Sequence, residues 1–303
     1  MGPTASGKTD VAISLCERFP FEVISVDSAL VYRGMDIGTA KPDARTLRRT
    51  PHRLIDIRDP EESYSAGDFV RDAHAEMKAI FAAGRVPLLV GGTMMYFRAL
   101  TEGIAELPSA NEEIRAGIDS EAEDIGWPAM HTLLCRIDPA AAARIEQGDR
   151  QRIQRALEVY RVSGRPLSEW QDVAALGARN AEFRYTKIAL QIEPRSLLHE
   201  RIERRLGQML EAGFVDELRS LMQRPGLDRD GPAMRSVGYR QFWAHLAGEC
   251  SLEEASARAL AATRQLAKRQ LTWLRSETSL KSYDPLDSRV ISSISADLAR
   301  QLA

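Results

Sequence analysis

Cysteine is scarce: Cys16, Cys135 and Cys250 are the only three in 303 residues, far apart and in no C-x-x-C pair. That excludes a disulfide scaffold and fits reduced thiols in a cytoplasmic protein. No uninterrupted apolar run approaches the ~20 residues a bilayer-spanning helix needs. Met1-Gly2-Pro3-Thr4 has neither the basic start nor the apolar stretch of a secretory signal, so no membrane association is expected. An excess of one charge is lacking too. Lys and Arg number 41 against 43 Asp and Glu, a net charge of -2. This argues against polyanion binding by the whole molecule and leaves room for local basic faces. No internal repeat or low-complexity tract is present. What remains is an ordinary globular composition, 44% apolar and 28% charged, in a chain long enough for one or two domains.

The first third alternates short apolar strands with helices. Glu22-Val23-Ile24-Ser25-Val26 is a β-branched run ending in Asp27. It follows an amphipathic stretch carrying Val11, Ile13, Leu15, Cys16 and Phe19. Phe69, Ala73, Met77 and Ile80 recur at helical spacing, with Gly84 where a helix would end. Val86-Pro87-Leu88-Leu89-Val90 reads as a buried strand stopping at Gly91-Gly92. Strands apolar on both faces, alternating with helices, predict an α/β fold: a parallel sheet covered on both sides. From Asn111 to Trp170 no strand-like run occurs, and Gly126-Trp127-Pro128, Asp138-Pro139 and Gly164-Arg165-Pro166 break short helices. This predicts an all-helical insertion over 111–180 in a core made of 1–110 and 181–303. Lys187-Ile188-Ala189-Leu190-Gln191-Ile192 reads as a returning strand. Leu198, Ile202, Leu206 and Met209 share a helical stripe closed by Gly213, and 252–275 reads as one long helix.

Gly2-Pro3-Thr4-Ala5-Ser6-Gly7-Lys8-Thr9 fits the phosphate-loop pattern G-x-x-x-x-G-K-[ST] at every fixed position. Two glycines let successive N–H groups converge on one anion, and the following helix N-terminus adds its dipole. Lys8 supplies a point charge, and the Thr9 hydroxyl can ligate magnesium. A helix-capping glycine loop is the competing reading. Such a loop follows a buried strand, and only Met1 precedes it here. The innermost strand is therefore expected to be missing and the loop poorly anchored. Nucleoside triphosphatases carry a second strand ending in Asp, whereas Val90 is followed by Gly-Gly-Thr. The acid at a strand end near the loop is Asp27, read as a ligand-crevice carboxylate or as a turn cap.

Several further blocks accompany the loop. They are 24–42 around Asp27, Pro51-His52-Arg53-Leu54-Ile55-Asp56, Leu89-Val90-Gly91-Gly92-Thr93, 151–159 beginning Gln151-Arg152-Ile153-Gln154-Arg155, Val237-Gly238-Tyr239-Arg240-Gln241 and 263–270. Together and in this order they resemble the tRNA dimethylallyltransferases, over Gly2 to about Arg275. The family's eukaryotic members add a zinc finger, and no Cys/His pair stands in the C-terminal region here, so the chain looks bacterial. One turn departs from the family: its Asn-Asp-Pro reads Gly148-Asp149-Arg150.

The resemblance implies transfer of a dimethylallyl group from its diphosphate to the exocyclic amine of an adenosine beside the anticodon of tRNA. The partners implied are dimethylallyl diphosphate and a tRNA anticodon stem-loop, the cofactor magnesium, and the protein a monomer. It puts Gly2 to Thr9 and Arg205 on the diphosphate, with Thr9 on magnesium. Arg205 ends the charge-dense His199-Glu200-Arg201-Ile202-Glu203-Arg204-Arg205 stretch, which could equally be a solvated helix face. Asp27, Thr9 and Arg205 are the implied catalytic residues. Asp27 would orient the amine and accept its proton late, once the amine gains positive charge. The implied tRNA contacts are Asp27, Ser28, Ala29, Leu30, Thr93, Arg115, Gln151, Arg152, Ile153, Gln154, Arg155, Val237, Gly238, Tyr239, Arg240, Gln241, Lys268 and Arg269. Arg258, Arg264, Lys268, Arg269 and Arg275 form a basic run on the long late helix with no acid between them, which suits phosphate contacts. Tyr239, Phe242 and Trp273 are candidates either for base stacking or for the core. Two rival readings share these features: a small-molecule or nucleoside kinase, and a non-catalytic RNA-binding module.

Overall fold

The computed structural model describes residues 1–105, 107–178 and 182–302. In chain order the elements are α1 (Lys8–Cys16), β1 (Phe21–Val26), α2 (Ala44–Arg49), β2 (His52–Arg53), α3 (Ala66–Ala82), β3 (Val86–Gly91) and α4 (Met94–Glu102). Five helices follow: α5 (Glu112–Ile125), α6 (Trp127–Ile137), α7 (Pro139–Ala142), α8 (Arg150–Ser163) and α9 (Leu167–Ala178). The chain ends with β4 (Lys187–Leu190), α10 (Arg195–Glu211), α11 (Phe214–Leu221), α12 (Tyr239–Leu246), α13 (Leu252–Ser276), β5 (Leu280–Tyr283) and α14 (Val290–Leu302). The protein is thus α/β, with parallel strands flanked by helices. Among the described residues no helix is long and apolar enough to cross a membrane.

The chain forms two compact units, Met1–Phe97 with Tyr185–Ala303, and Arg98–Arg184; the first seam falls inside α4. The expected boundary at 180/181 lies outside the described residues. Among its described residues the Arg98–Arg184 unit carries helices and no strand, packed on Ile118, Met130, Leu134, Ile153 and Leu157. Glu158 is fully buried among them and accepts from Arg115, Arg155 and the Asn111 N–H, at 2.7 to 3.2 Å.

In the other unit, strand order is β2-β1-β3 in one sheet and β4-β5 in a second. Val23, Ile24 and Val26 of β1 are fully buried, as a central strand's β-branched run should be. The residues of β3 up to Val90 are only half-buried. That corrects the expectation of a fully buried strand: β3 lies at the edge of its sheet. Among the described residues no strand lies between β3 and β4. The phosphate loop is nevertheless not poorly anchored, contrary to the sequence expectation. Met1 donates its N–H to Ile188 O at 2.7 Å and accepts from Leu190 N–H at 2.9 Å, a parallel-strand pattern on β4. Gln270, in the middle of α13, accepts from Thr4 N–H at 2.9 Å and donates to Gly92 O at 2.8 Å. Two backbone segments that would otherwise be unpaired are thereby joined through one side chain.

Candidate functional site

The loop before α1 takes its shape from two residues with left-handed backbone, Ala5 at φ 62° and Gly7 at φ 83°. Glycine enters this region without strain, whereas alanine pays for it. A left-handed residue on either side of Ser6, just before a helix N-terminus, is the backbone form of an anion-binding nest. Arg201 of α10 secures the loop by donating to Ala5 O at 2.8 Å.

Residues 4–9 floor a cavity of about 790 Å³ that lies wholly within the sheet-containing unit. Asp27, Ser28, Ala29 and Leu30 form one wall at the carboxyl end of β1. Gly91 ends β3 and Gly92 and Thr93 follow it, and Thr93 Oγ1 accepts from Ser28 N–H at 3.1 Å, tying the two strand ends together. Opposite stand Arg205, Leu206 and Met209 of α10 and Thr263, Leu266, Gln270 and Trp273 of α13. Val237, Gly238 and Tyr239 complete the lining.

The charge balance of this cavity is uneven. Lys8 Nζ folds back onto Pro3 O at 2.6 Å. Burial, then repulsion from Arg205, pulls the Lys8 ammonium down to about 8, with Asp27 opposing. Burial also lowers Arg205, again with Asp27 opposing. One side-chain partner of Arg205 is fixed, Thr39 O at 3.1 Å from Nη2. Lys8 and Arg205 thus crowd together in a sheltered site whose lining also carries Arg201, Arg204, Arg235 and Arg269 against Asp10 and Asp27, which is the electrostatics of an anion receptor. Asp27 is both things the sequence suggested. Its Oδ1 caps the turn, accepting from Ala29 N–H at 2.9 Å and Leu30 N–H at 3.3 Å. Its other oxygen, Oδ2, has no hydrogen bond among the described residues and is left for the cavity.

A model of the IPP transferase family matches residues 30–277. The chain belongs to the IPP transferase family. The tRNA dimethylallyltransferase of Thiobacillus denitrificans is 54% identical over 302 residues, covering 98% of this chain and 96% of that protein. The full-length tRNA isopentenylpyrophosphate transferase of Bacillus halodurans superposes with a TM-score of 0.72 at 37% identity, over 99% of this chain and 94% of that one. The tRNA isopentenylpyrophosphate transferase of Staphylococcus epidermidis gives 0.71 at 30%, over 99% and 97%. The chain is therefore a transferase with the P-loop fold of these relatives. None of them is named as a kinase, and that reading falls away.

Within this IPP transferase the structure gathers many, but not all, of the residues singled out from sequence. Thr4 to Thr9, Asp27 to Leu30, Thr93, Arg205, Val237, Gly238, Tyr239 and Arg269 line the cavity. Gly2 and Pro3 lie buried behind the loop, where Pro3 serves through its carbonyl. Arg240 and Lys268 are exposed outside the cavity. Gln241 caps α12 by accepting from Gly238 N–H at 2.8 Å. Phe242 is fully buried, a core residue rather than a stacking platform. In the Arg98–Arg184 unit Ile153 is fully buried, so its side chain packs the core and does not face a ligand. Arg115 and Arg155 hold Glu158, Gln154 donates to Asp119 at 2.6 Å, and Arg152 pairs with Asp149 at 3.4 Å. Gln151 is exposed. The basic run on α13 is not wholly unneutralised either: Arg264 meets Glu203 of α10 at 3.2 Å.

Sequence reasoning missed Arg201, Arg235 and Gln270, all of which line the cavity. Arg201 carried a usable signal, since it sits four residues before Arg205 and so on the same helical face. Gln270 carried none beyond its place on the inward side of α13.

Proposed function

We propose that this transferase moves the dimethylallyl group of dimethylallyl diphosphate to the exocyclic amine of the adenosine 3′-adjacent to the anticodon in tRNA. The observation that carries the reading is the pairing of Lys8 and Arg205 over a glycine-loop nest, with the Asp27 carboxylate acting on both. Diphosphate leaving an allylic carbon builds negative charge, and the loop N–H groups, Lys8 and Arg205 are arranged before reaction to receive it. Asp27 is already fixed through Oδ1 and presents Oδ2 to the amine, first as hydrogen-bond acceptor and then as the proton's destination. The adenosine cannot react while stacked, so it is turned out of the loop into the cavity. Thr93 and the 237–239 turn stand on its rim as base and ribose contacts, and the helical unit, with Arg152 and its neighbours, carries phosphate contacts.

Magnesium fits the donors present. Among the described residues no cluster of three His, Cys, Asp or Glu could hold an ion unaided. The Thr9 hydroxyl offers a hard oxygen of the kind that holds magnesium jointly with a substrate's phosphates and waters. When bound, the ion neutralises charge on the departing diphosphate. The enzyme acts as a cytoplasmic monomer, with 111–180 as its RNA-facing insertion.

Incubation with labelled prenyl diphosphate and undermodified tRNA, without ATP, tests this. Label should enter tRNA, and Asp27→Asn should slow entry by at least about 100-fold while tRNA retention on filters stays near wild type. A requirement for ATP, or an Asp27→Asn protein that binds tRNA and turns over normally, would remove the reading.

A further inference from the structure

Beside the cavity, but not lining it, Glu217 on α11 collects four hydrogen bonds. Its Oε2 accepts from Asp36 N–H at 2.9 Å and Ile37 N–H at 2.6 Å. Its Oε1 accepts from Gly38 N–H at 3.1 Å and from the Tyr239 hydroxyl at 2.6 Å. Three consecutive N–H groups converging on one point form a nest that requires an anion, and the carboxylate supplies it. The turn also closes on itself: Lys41 N–H reaches Asp36 O at 2.9 Å, and Thr39 Oγ1 reaches Met35 O at 2.6 Å. Phe214, on the same helix as Glu217, fills the space next to Gly38, where an added Cβ would lie 2.1 Å from its ring. The 36–40 turn is therefore held against α11 by both a charge and an aromatic ring.

One polar group of that turn points into the cavity. Thr39 O accepts from Arg205 Nη2 at 3.1 Å. Lys8 repels Arg205, and Asp27 attracts it without forming an ion pair, so the Thr39 carbonyl is the contact that holds the guanidinium. Among the described residues Arg205 forms no ion pair with a carboxylate. Without the tether a long guanidinium side chain would relax away from a second cation, toward solvent. We infer that Glu217 is a positioning residue: by holding the 36–38 backbone it sets the Thr39 carbonyl that aims Arg205 at the substrate diphosphate. The same carboxylate oxygen that accepts from Gly38 also fixes the Tyr239 hydroxyl, so a single side chain outside the site orders the turn and the neighbouring Tyr239 together. Groups already aimed at a ligand spare the cost of ordering them on binding, which is felt as affinity.

This inference rests on the reading of the cavity as a prenyl diphosphate site. Its test is a double-mutant cycle on the full chain, reading the dissociation constant for dimethylallyl diphosphate by calorimetry. Glu217→Gln should weaken binding about tenfold, since it leaves at least one of the three N–H groups facing a donor. In an Arg205→Gln background the same change should weaken binding less than about twofold. Equal losses in both backgrounds, or a Glu217→Gln protein with lower thermal stability and unchanged affinity, would overturn the inference while leaving the diphosphate reading intact. If Arg205→Gln alone left affinity unchanged, the reading of Arg205 itself would fall, and this inference with it. Should Glu217→Gln not fold, Glu217→Asp keeps the charge, shortens the reach by one methylene and is read against the same two backgrounds.

Discussion

Lys8 makes the site's pH dependence calculable. In the ligand-free protein its ammonium is held at about 8 by burial and by Arg205. A bound diphosphate places several negative oxygens against Nζ and returns it to or above the ordinary lysine value. Binding above pH 8 must then take up a proton. Affinity should be flat below that point and fall with a slope of one log unit per pH unit above it, to about 50- to 100-fold weaker near pH 10 than near pH 7.5. The ligand does not confuse the profile, because a phosphate's last ionisation is complete well below that range, at about 6. Nor does unfolding through this group. A lysine whose folded value is lowered releases its proton before the unfolded chain does, so its contribution to stability rises from pH 8 up to the unfolded value. Stability and binding therefore move in opposite directions over the same window. Calorimetric titration of dimethylallyl diphosphate, in buffers of different ionisation heat, gives both the affinity and the proton count. Lys8→Met should bind weakly at every pH and show no slope. A flat wild-type curve, or the same slope in Lys8→Met, would refute the assignment of this titration to the loop lysine.

Two further perturbations probe the framework around the site. Gln270→Leu removes the partner of both Thr4 N–H and Gly92 O, at an expected cost of about 2–4 kcal/mol. Thermal denaturation should register it together with weaker prenyl diphosphate binding, and an unaffected affinity would mean the loop does not depend on α13. Glu158→Ala leaves Arg115, Arg155 and the Asn111 N–H without their shared acceptor; both arginines keep access to water, so the loss should be about 2–3 kcal/mol. Burial pushes the Glu158 carboxyl up, but the hydrogen bonds from Arg115 and Arg155 outweigh this and hold it below the ordinary glutamate range. Its stabilisation is therefore present above the unfolded glutamate value and lost as pH falls through the lowered folded one. Limited proteolysis within Arg98–Arg184 should speed up in Glu158→Ala at neutral pH, with the difference from wild type shrinking in acid.

Local pattern determined a good part of this protein. The phosphate loop, the β-branched strand ending in Asp27, the helix on Phe69, Ala73, Met77 and Ile80, and the strandless stretch after Asn111 were all legible, because backbone preference and burial period act over a few residues. The order of motif blocks added the family. What the sequence concealed lies at contacts between segments far apart in the chain. Strand β5 follows from no local signal: Leu280-Lys281-Ser282-Tyr283 is an unremarkable tetrapeptide until β4 offers it a parallel edge. Gln270 lies on the inward side of α13 among Ala267 and Leu274, where periodicity alone expects an apolar residue; its partners come from residues 4 and 92. Glu217 reads as one more acid in an amphipathic helix until folding brings three N–H groups and a phenol to it. The half-burial of β3 and the Arg264–Glu203 pair likewise depend on which strand and which helix come to lie alongside. Sequence decides what each segment can be, because propensity is local. Tertiary structure alone decides which charges are crowded together and which polar groups find partners, because those energies depend on distances across the fold.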